Sequence, residues 1–143
     1  MKISGGLYKT SRTNAWRCKM EFVRYNGGTQ SYHGCTEPDD LVVGKIYELI
    51  NADVWNWHTD YTIKGVKGKF NSVWFDKVPV YKAFATIQPS IGQRMSCVKV
   101  EKKKNGILEM GSWHTTEVRE IEQIEKGILR VFTRNSVYVV MMV

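Results

Sequence analysis

The residues of this chain best suited to chemistry are aromatic rings set beside cations or carboxylates. Trp16-Arg17, the run Trp55-Asn56-Trp57-His58 with Tyr61 and Lys64 beyond it, and Trp113-His114 each put a flat π-face next to a donor or a charge. Nucleobases stack on such rings for about 1–3 kcal/mol each, while Arg or Lys beside them holds a phosphate. Arg94 and Arg134 extend the phosphate-binding set, because a guanidinium fork meets two oxygens at once. The expected ligand-binding residues are therefore Trp16, Arg17, Trp57, His58, Tyr61, Lys64, Arg94, Trp113, His114 and Arg134. Trp55, Asp53 and Asp60 read differently: carboxylates repel phosphates, so this part of the loop suits a protein surface.

Catalysis finds little to work with. A nucleophile needs a base that a third group orients, and three histidines offer few ways to build that. His33 lies two residues from Cys35, with Glu37 the nearest carboxylate, and spacing forces no two of Asp53, Asp60 and Asp76 together. No glycine-rich loop runs into Lys-Ser or Lys-Thr. No catalytic residue is assigned, and the protein is expected not to be an enzyme.

Cys18, Cys35 and Cys97 are an odd number without C-x-x-C spacing, which fits neither a disulfide framework nor a zinc ribbon. His33 and Cys35 with Cys18 would supply three zinc ligands, yet zinc wants four and no second pair is spaced to help. Neither metal nor cofactor is expected. Residues 1–25 lack the signal-peptide pattern, and the longest apolar run, Val137 to Val143, is a third of a membrane span. The expectation is a cytoplasmic protein with reduced thiols and no membrane partner.

Charge is placed in blocks. Residues 1–35 carry six basic side chains against Glu21 alone, whereas residues 36–60 carry six carboxylates against Lys45 alone. Lysines recur at 64, 67, 69, 77 and 82 and again around Lys102-Lys103-Lys104, for a net charge of +7. Such fields concentrate anions and speed their capture.

The elements that must position these residues are strands. Residues 16–23 alternate, Asn26-Gly27-Gly28 suits a tight reversal, and residues 29–33 are expected to return as a hairpin partner. Residues 41–50 are β-rich, 51–60 read as an aromatic loop, 61–66 as a strand, and 70–78 as one alternating strand ended by Pro79. Residues 81–93, with Pro89, Ser90 and Gly92, look linker-like. Residues 94–101 alternate, Lys104-Asn105-Gly106 turns the chain, and 128–133 with 137–143 makes a hairpin. Residues 115–126 suit a short helix or a bulged strand, and the surrounding strands favour the latter.

The run VGKIYELI … YTIKGVKGKFNSVWFDKV, residues 42–78, resembles the strands of small Src-homology-type barrels in short proteins of Firmicutes and their phages. The pattern HTTEV … TRNSVYVV, within residues 114–140, resembles an end module of short phage proteins. The fold class expected is mainly β, a small Src-homology-like barrel over 1–80 followed, after 81–93, by a second antiparallel meander over 94–143. The resemblance implies a counter-defence role. That role would be capture of an anionic, base-containing ligand, a nucleotide signal or nucleic acid, or else inhibition of a host protein such as a CRISPR effector. The apolar strand 137–143 is expected to offer an edge for pairing with a second copy.

Overall fold

The computed structural model describes residues 20–28, 32 and 34–143. Strands dominate it, as the alternating runs demand, and the chain divides into two units, one holding Met20–Pro79 and the other Val80–Val143.

In the first unit, β1 (Glu21–Tyr25) is interior, flanked by β2 (Ile46–Val54) and β5 (Phe75–Val78). Both of its edges are taken, so Phe22, Val23 and Tyr25 are all buried, and residues 22–25 form no hairpin across Asn26-Gly27-Gly28. β3 (Thr59–Ile63) and β4 (Val66–Asn71) complete an antiparallel sheet in the order β4-β3-β2-β1-β5. β4 and β5 are not paired with each other, so the sheet does not close into a barrel.

The alternating run 70–78 is broken by a single 3-10 turn, Ser72–Trp74, capped where the Asn71 side chain accepts from the Val73 N–H. The break lets the chain pass from one edge of the sheet to the other and drives Trp74 inward to 1% exposure. Trp74 meets Tyr25 edge-on at 6.5 Å, and Phe75 lies 5.6 Å from Tyr25. Aromatic pairs of this kind add about 0.5–1.5 kcal/mol each beyond their burial. Val23, Leu41, Tyr47, Ile63 and Phe70 fill the rest of this core.

The second unit is one six-stranded sheet. It comprises β6 (Val80–Ala85), β7 (Arg94–Lys102), β8 (Leu108–Glu117), β9 (Glu120–Glu125), β10 (Ile128–Phe132) and β11 (Val137–Met142), in the order β8-β7-β6-β11-β10-β9. It departs from a pure meander, because β11 runs parallel to β6 and joins two antiparallel ladders. The first residues of the linker-like stretch therefore belong to a strand, and Gly92 and Gln93 are pinned by hydrogen bonds with Val118.

Residues 115–126 are extended, the end of β8 and then β9, with a bend at Val118-Arg119 where the chain moves between opposite edges of the sheet. β11 is interior, bonded on one side to β6 and on the other to β10, so the edge expected at 137–143 does not exist. Its central place explains the unbroken apolar run: a strand covered on both faces has no polar side to alternate with. Ala83, Met95, Cys97, Leu129, Val131 and Val140 lie in the core here.

Candidate functional site

The stretch 51–60 is a hairpin rather than an open loop. β2 continues to Val54, β3 begins at Thr59, and their pairing sets Asp53 opposite Asp60 and Val54 opposite Thr59. Residues 55–58 form the tip, closed where the Trp55 N–H donates to the His58 carbonyl at 2.8 Å.

Two carboxylates directly opposite on a sheet repel each other. Here each has partners that relieve the repulsion. Asp53 accepts from Asn51 Nδ2 at 3.0 Å and lies 3.6 Å from Lys69 Nζ. Asp60, only 8% exposed, accepts from Trp55 Nε1 at 3.1 Å with one oxygen and from the Tyr32 hydroxyl with the other. His58 Nε2 stands 3.6 Å from the oxygen that Tyr32 uses, and the His58 ring lies over Tyr32 with centroids 3.9 Å apart. On the Trp55 side the rings are stacked 6.2 Å apart. Burial, then the Asp60 hydrogen bond and charge, push the Tyr32 hydroxyl well above the ordinary tyrosine range, so it stays a donor.

With both its oxygens engaged, Asp60 acts as the clamp that gathers Tyr32, Trp55 and His58. Trp57 has no part in the clamp and stands 95% exposed above it, with Val54 and Trp55 also open to solvent. The tip therefore offers an apolar, indole-led surface beside a carboxylate, Asp53.

The remaining expected ligand residues do not join it. Tyr61 turns into the same unit's core, 5.7 Å from Phe75. Lys64 sits at the far end of β3, roughly 20 Å along the strand from His58 at about 3.3 Å per residue, and faces Glu48 at 3.9 Å. In the second unit, Trp113 and His114 are consecutive on β8 and so point to opposite faces. His114 Nδ1 is 3.0 Å from the Ser96 hydroxyl. Arg94 spends its Nε on the Thr115 carbonyl at 2.8 Å, which makes it a fastener of the β7–β8 ladder. Arg134 lies exposed in the β10–β11 turn. Trp16, Arg17, Cys18 and His33 lie outside the described residues. Among the described residues, the single convergent face expected of these rings and cations is not assembled within either unit.

Trp113 has a different use. Its ring lies 3.6 Å beneath Lys99 Nζ, its Nε1 donates to the Tyr138 hydroxyl at 3.1 Å, and Lys99 also covers Tyr81 at 4.4 Å. Lys99 pairs with Glu101 at 2.9 Å, while its side chain keeps only 11% exposure. Desolvation, the largest influence, pulls the Lys99 pKa down, but the Glu101 hydrogen bond and charge with Tyr81 and Tyr138 outweigh it and leave it raised. The same bond holds Glu101 below the usual carboxylate range. Lys99 is thus a packed cation rather than one waiting for a phosphate.

No family model, curated protein or solved structure matches the chain. The site is therefore read from its geometry alone. Sequence reasoning missed Tyr32, 28 residues from Asp60, and Lys99, which sits two residues from Glu101 on one strand face. The Lys99-x-Glu101 spacing was a usable signal, because residues two apart on a strand share a side. Nothing local announces Tyr32. Among the described residues no helix is long and apolar enough to cross a membrane.

Proposed function

We propose that the chain is a non-enzymatic binding module that docks on a protein partner through the tip of the β2–β3 hairpin. The observation carrying this reading is Trp57, 95% exposed on a hairpin whose neighbours Trp55, His58, Asp60 and Tyr32 fasten one another. Binding hot spots are enriched in Trp because an indole brings large area with few torsions to freeze. Asp53 beside it suits a basic rim around the pocket that receives the indole. Following the resemblance given above, the partner class is a host-defence protein, such as a CRISPR effector.

A second reading keeps the anionic, base-containing ligand, a nucleotide or nucleic acid. It is supported by the exposed run Lys102-Lys103-Lys104 and the net charge of +7. At the hairpin tip it is disfavoured, since the cations that could meet a phosphate are engaged by carboxylates, Lys69 by Asp53 and Lys64 by Glu48.

Affinity capture from lysate of the cells the protein acts in, with wild type and Trp57→Ala side by side and with nuclease added, separates the two. One stoichiometric protein, kept through nuclease and weakened at least about tenfold by Trp57→Ala, is the expected result, the loss being that of an ordinary hot spot. Thermal stability of the variant should match wild type, because surface substitutions of exposed side chains stay within about 0.5 kcal/mol. Recovery of nucleic acid or nucleotide alone, unaffected by Trp57→Ala, would move the assignment to the second reading.

A further inference from the structure

Edge strands are the natural place for a second chain to join a sheet, and proteins usually blunt them with lysines, prolines or bulges. β8 is an end strand of the six-stranded sheet, and from Leu108 to His114 every residue is exposed. Among the described residues no strand pairs with its outer side. It carries no proline, lysine or arginine, and presents Leu108, Met110 and Trp113 to solvent. β9, the opposite edge, is the more heavily charged: it holds Glu120, Glu122 and Glu125 in six residues, whereas β8 holds only Glu109 and Glu117 in ten and is regular from Leu108 to His114.

The geometry points to β8 as a self-pairing edge, joined antiparallel to β8 of a second copy about a two-fold axis at Ser112. Three observations favour this occupant. Centring on Ser112 sets Met110 against His114 and Glu109 against Thr115, so no like charges face each other, whereas centring on Trp113 would oppose Glu109 and Glu117. The same register sets Trp113 of the second copy opposite Gly111, where a Cβ would meet no atom within 4 Å, while its indole stays on Lys99 and Tyr138 of its own chain. Beside that glycine is a shallow depression of about 190 Å³ lined by Lys99, Glu101, Glu109, Gly111 and Trp113, which leaves room for side chains of the second strand.

Charge supplies the third observation. Antiparallel pairing brings the exposed Lys104, next to a Lys103 already held by Glu109 at 3.0 Å, to the end of β8 on the second copy, where Glu117 is exposed and Glu120 follows. A β8–β9 contact would instead bring Glu109 and Glu117 toward Glu120 and Glu122. Self-pairing therefore closes at two chains and does not propagate into a fibre.

Sedimentation of the full chain over a concentration series tests this. Wild type should rise from the 16.5 kDa mass toward that of two chains and level there. Ser112→Lys, which sets two ammonium groups face to face at the axis, should stay a monomer with an unchanged far-UV circular dichroism spectrum. Lys104→Glu and Glu117→Lys should each weaken association, and the double variant should restore it, a rescue that no general loss of folding imitates. Wild type that stays monomeric throughout, a mass climbing past two chains, Ser112→Lys that still dimerises, or a double variant no better than the singles would each overturn the proposal. Because Trp57 lies in the other unit, Trp57→Ala should leave the dimer intact, so failure here and failure of the docking reading are read separately.

Discussion

At the scale of single residues, the hairpin tip depends on one carboxylate. Replacing Asp60 by Ala leaves the Tyr32 hydroxyl and the Trp55 indole N–H without their acceptor, and an abandoned part-buried donor costs about 1–3 kcal/mol. Urea unfolding of Asp60→Ala should show that loss, with Asp60→Asn losing less because its amide oxygen still accepts one bond.

Tyr32 sets a pH dependence of its own. Its folded pKa is raised, so the stability it contributes is complete below the unfolded tyrosine value of about 10 and is lost as pH climbs through the folded value. The thermal unfolding midpoint, followed from neutral to strongly alkaline pH, should begin to fall near the unfolded value of about 10, and Tyr32→Phe should flatten this part of the decline. The sequence marks Trp55, Trp57, His58 and Asp60 as a group, since they sit within six residues. It gives no hint of Tyr32, which reaches Asp60 only through the fold.

At the scale of elements, local patterning announced most strands, and the errors have physical causes. Residues 94–101 and the hairpin 128–143 alternate or run apolar, and they form β7, β10 and β11. Asn51 and Asp53 looked like loop residues because polar side chains disfavour strands, and the compensation of Asp53 by Lys69 appears only once β4 is in place beside β3. The parallel pairing of β6 with β11 joins residues more than fifty apart and leaves no local trace.

One glycine reports on how tightly the first unit is drawn together. Gly68 has φ +133°, and a Cβ there would come within 2.5–2.8 Å of the Thr36 side chain, whose hydroxyl accepts from the Lys69 N–H at 3.0 Å. Gly68→Ala should therefore destabilise this unit by more than about 1 kcal/mol, read as a lower denaturation midpoint.

At the scale of the whole molecule, the described residues divide at Pro79–Val80, and β6 belongs to the second unit. Each unit has its own apolar cluster and offers one unusual exposed feature: the Trp57 tip in the first and the bare β8 edge in the second. Among the described residues, the expected ligand face did not assemble within either unit because strand geometry separates what sequence proximity joins. Trp113 and His114 fall on opposite faces of one strand, and His58 and Lys64 at opposite ends of another. The two proposals give the units separate tasks, docking for the first and pairing for the second.

Photocrosslinking from a benzophenone amino acid in place of Trp57, in cells where the protein acts, tests docking most directly. A single crosslinked protein is expected, absent when the same probe replaces Val73, an exposed residue of the same unit in the 3-10 turn. Crosslinks from position 57 to nucleic acid, or identical products from both positions, would contradict it.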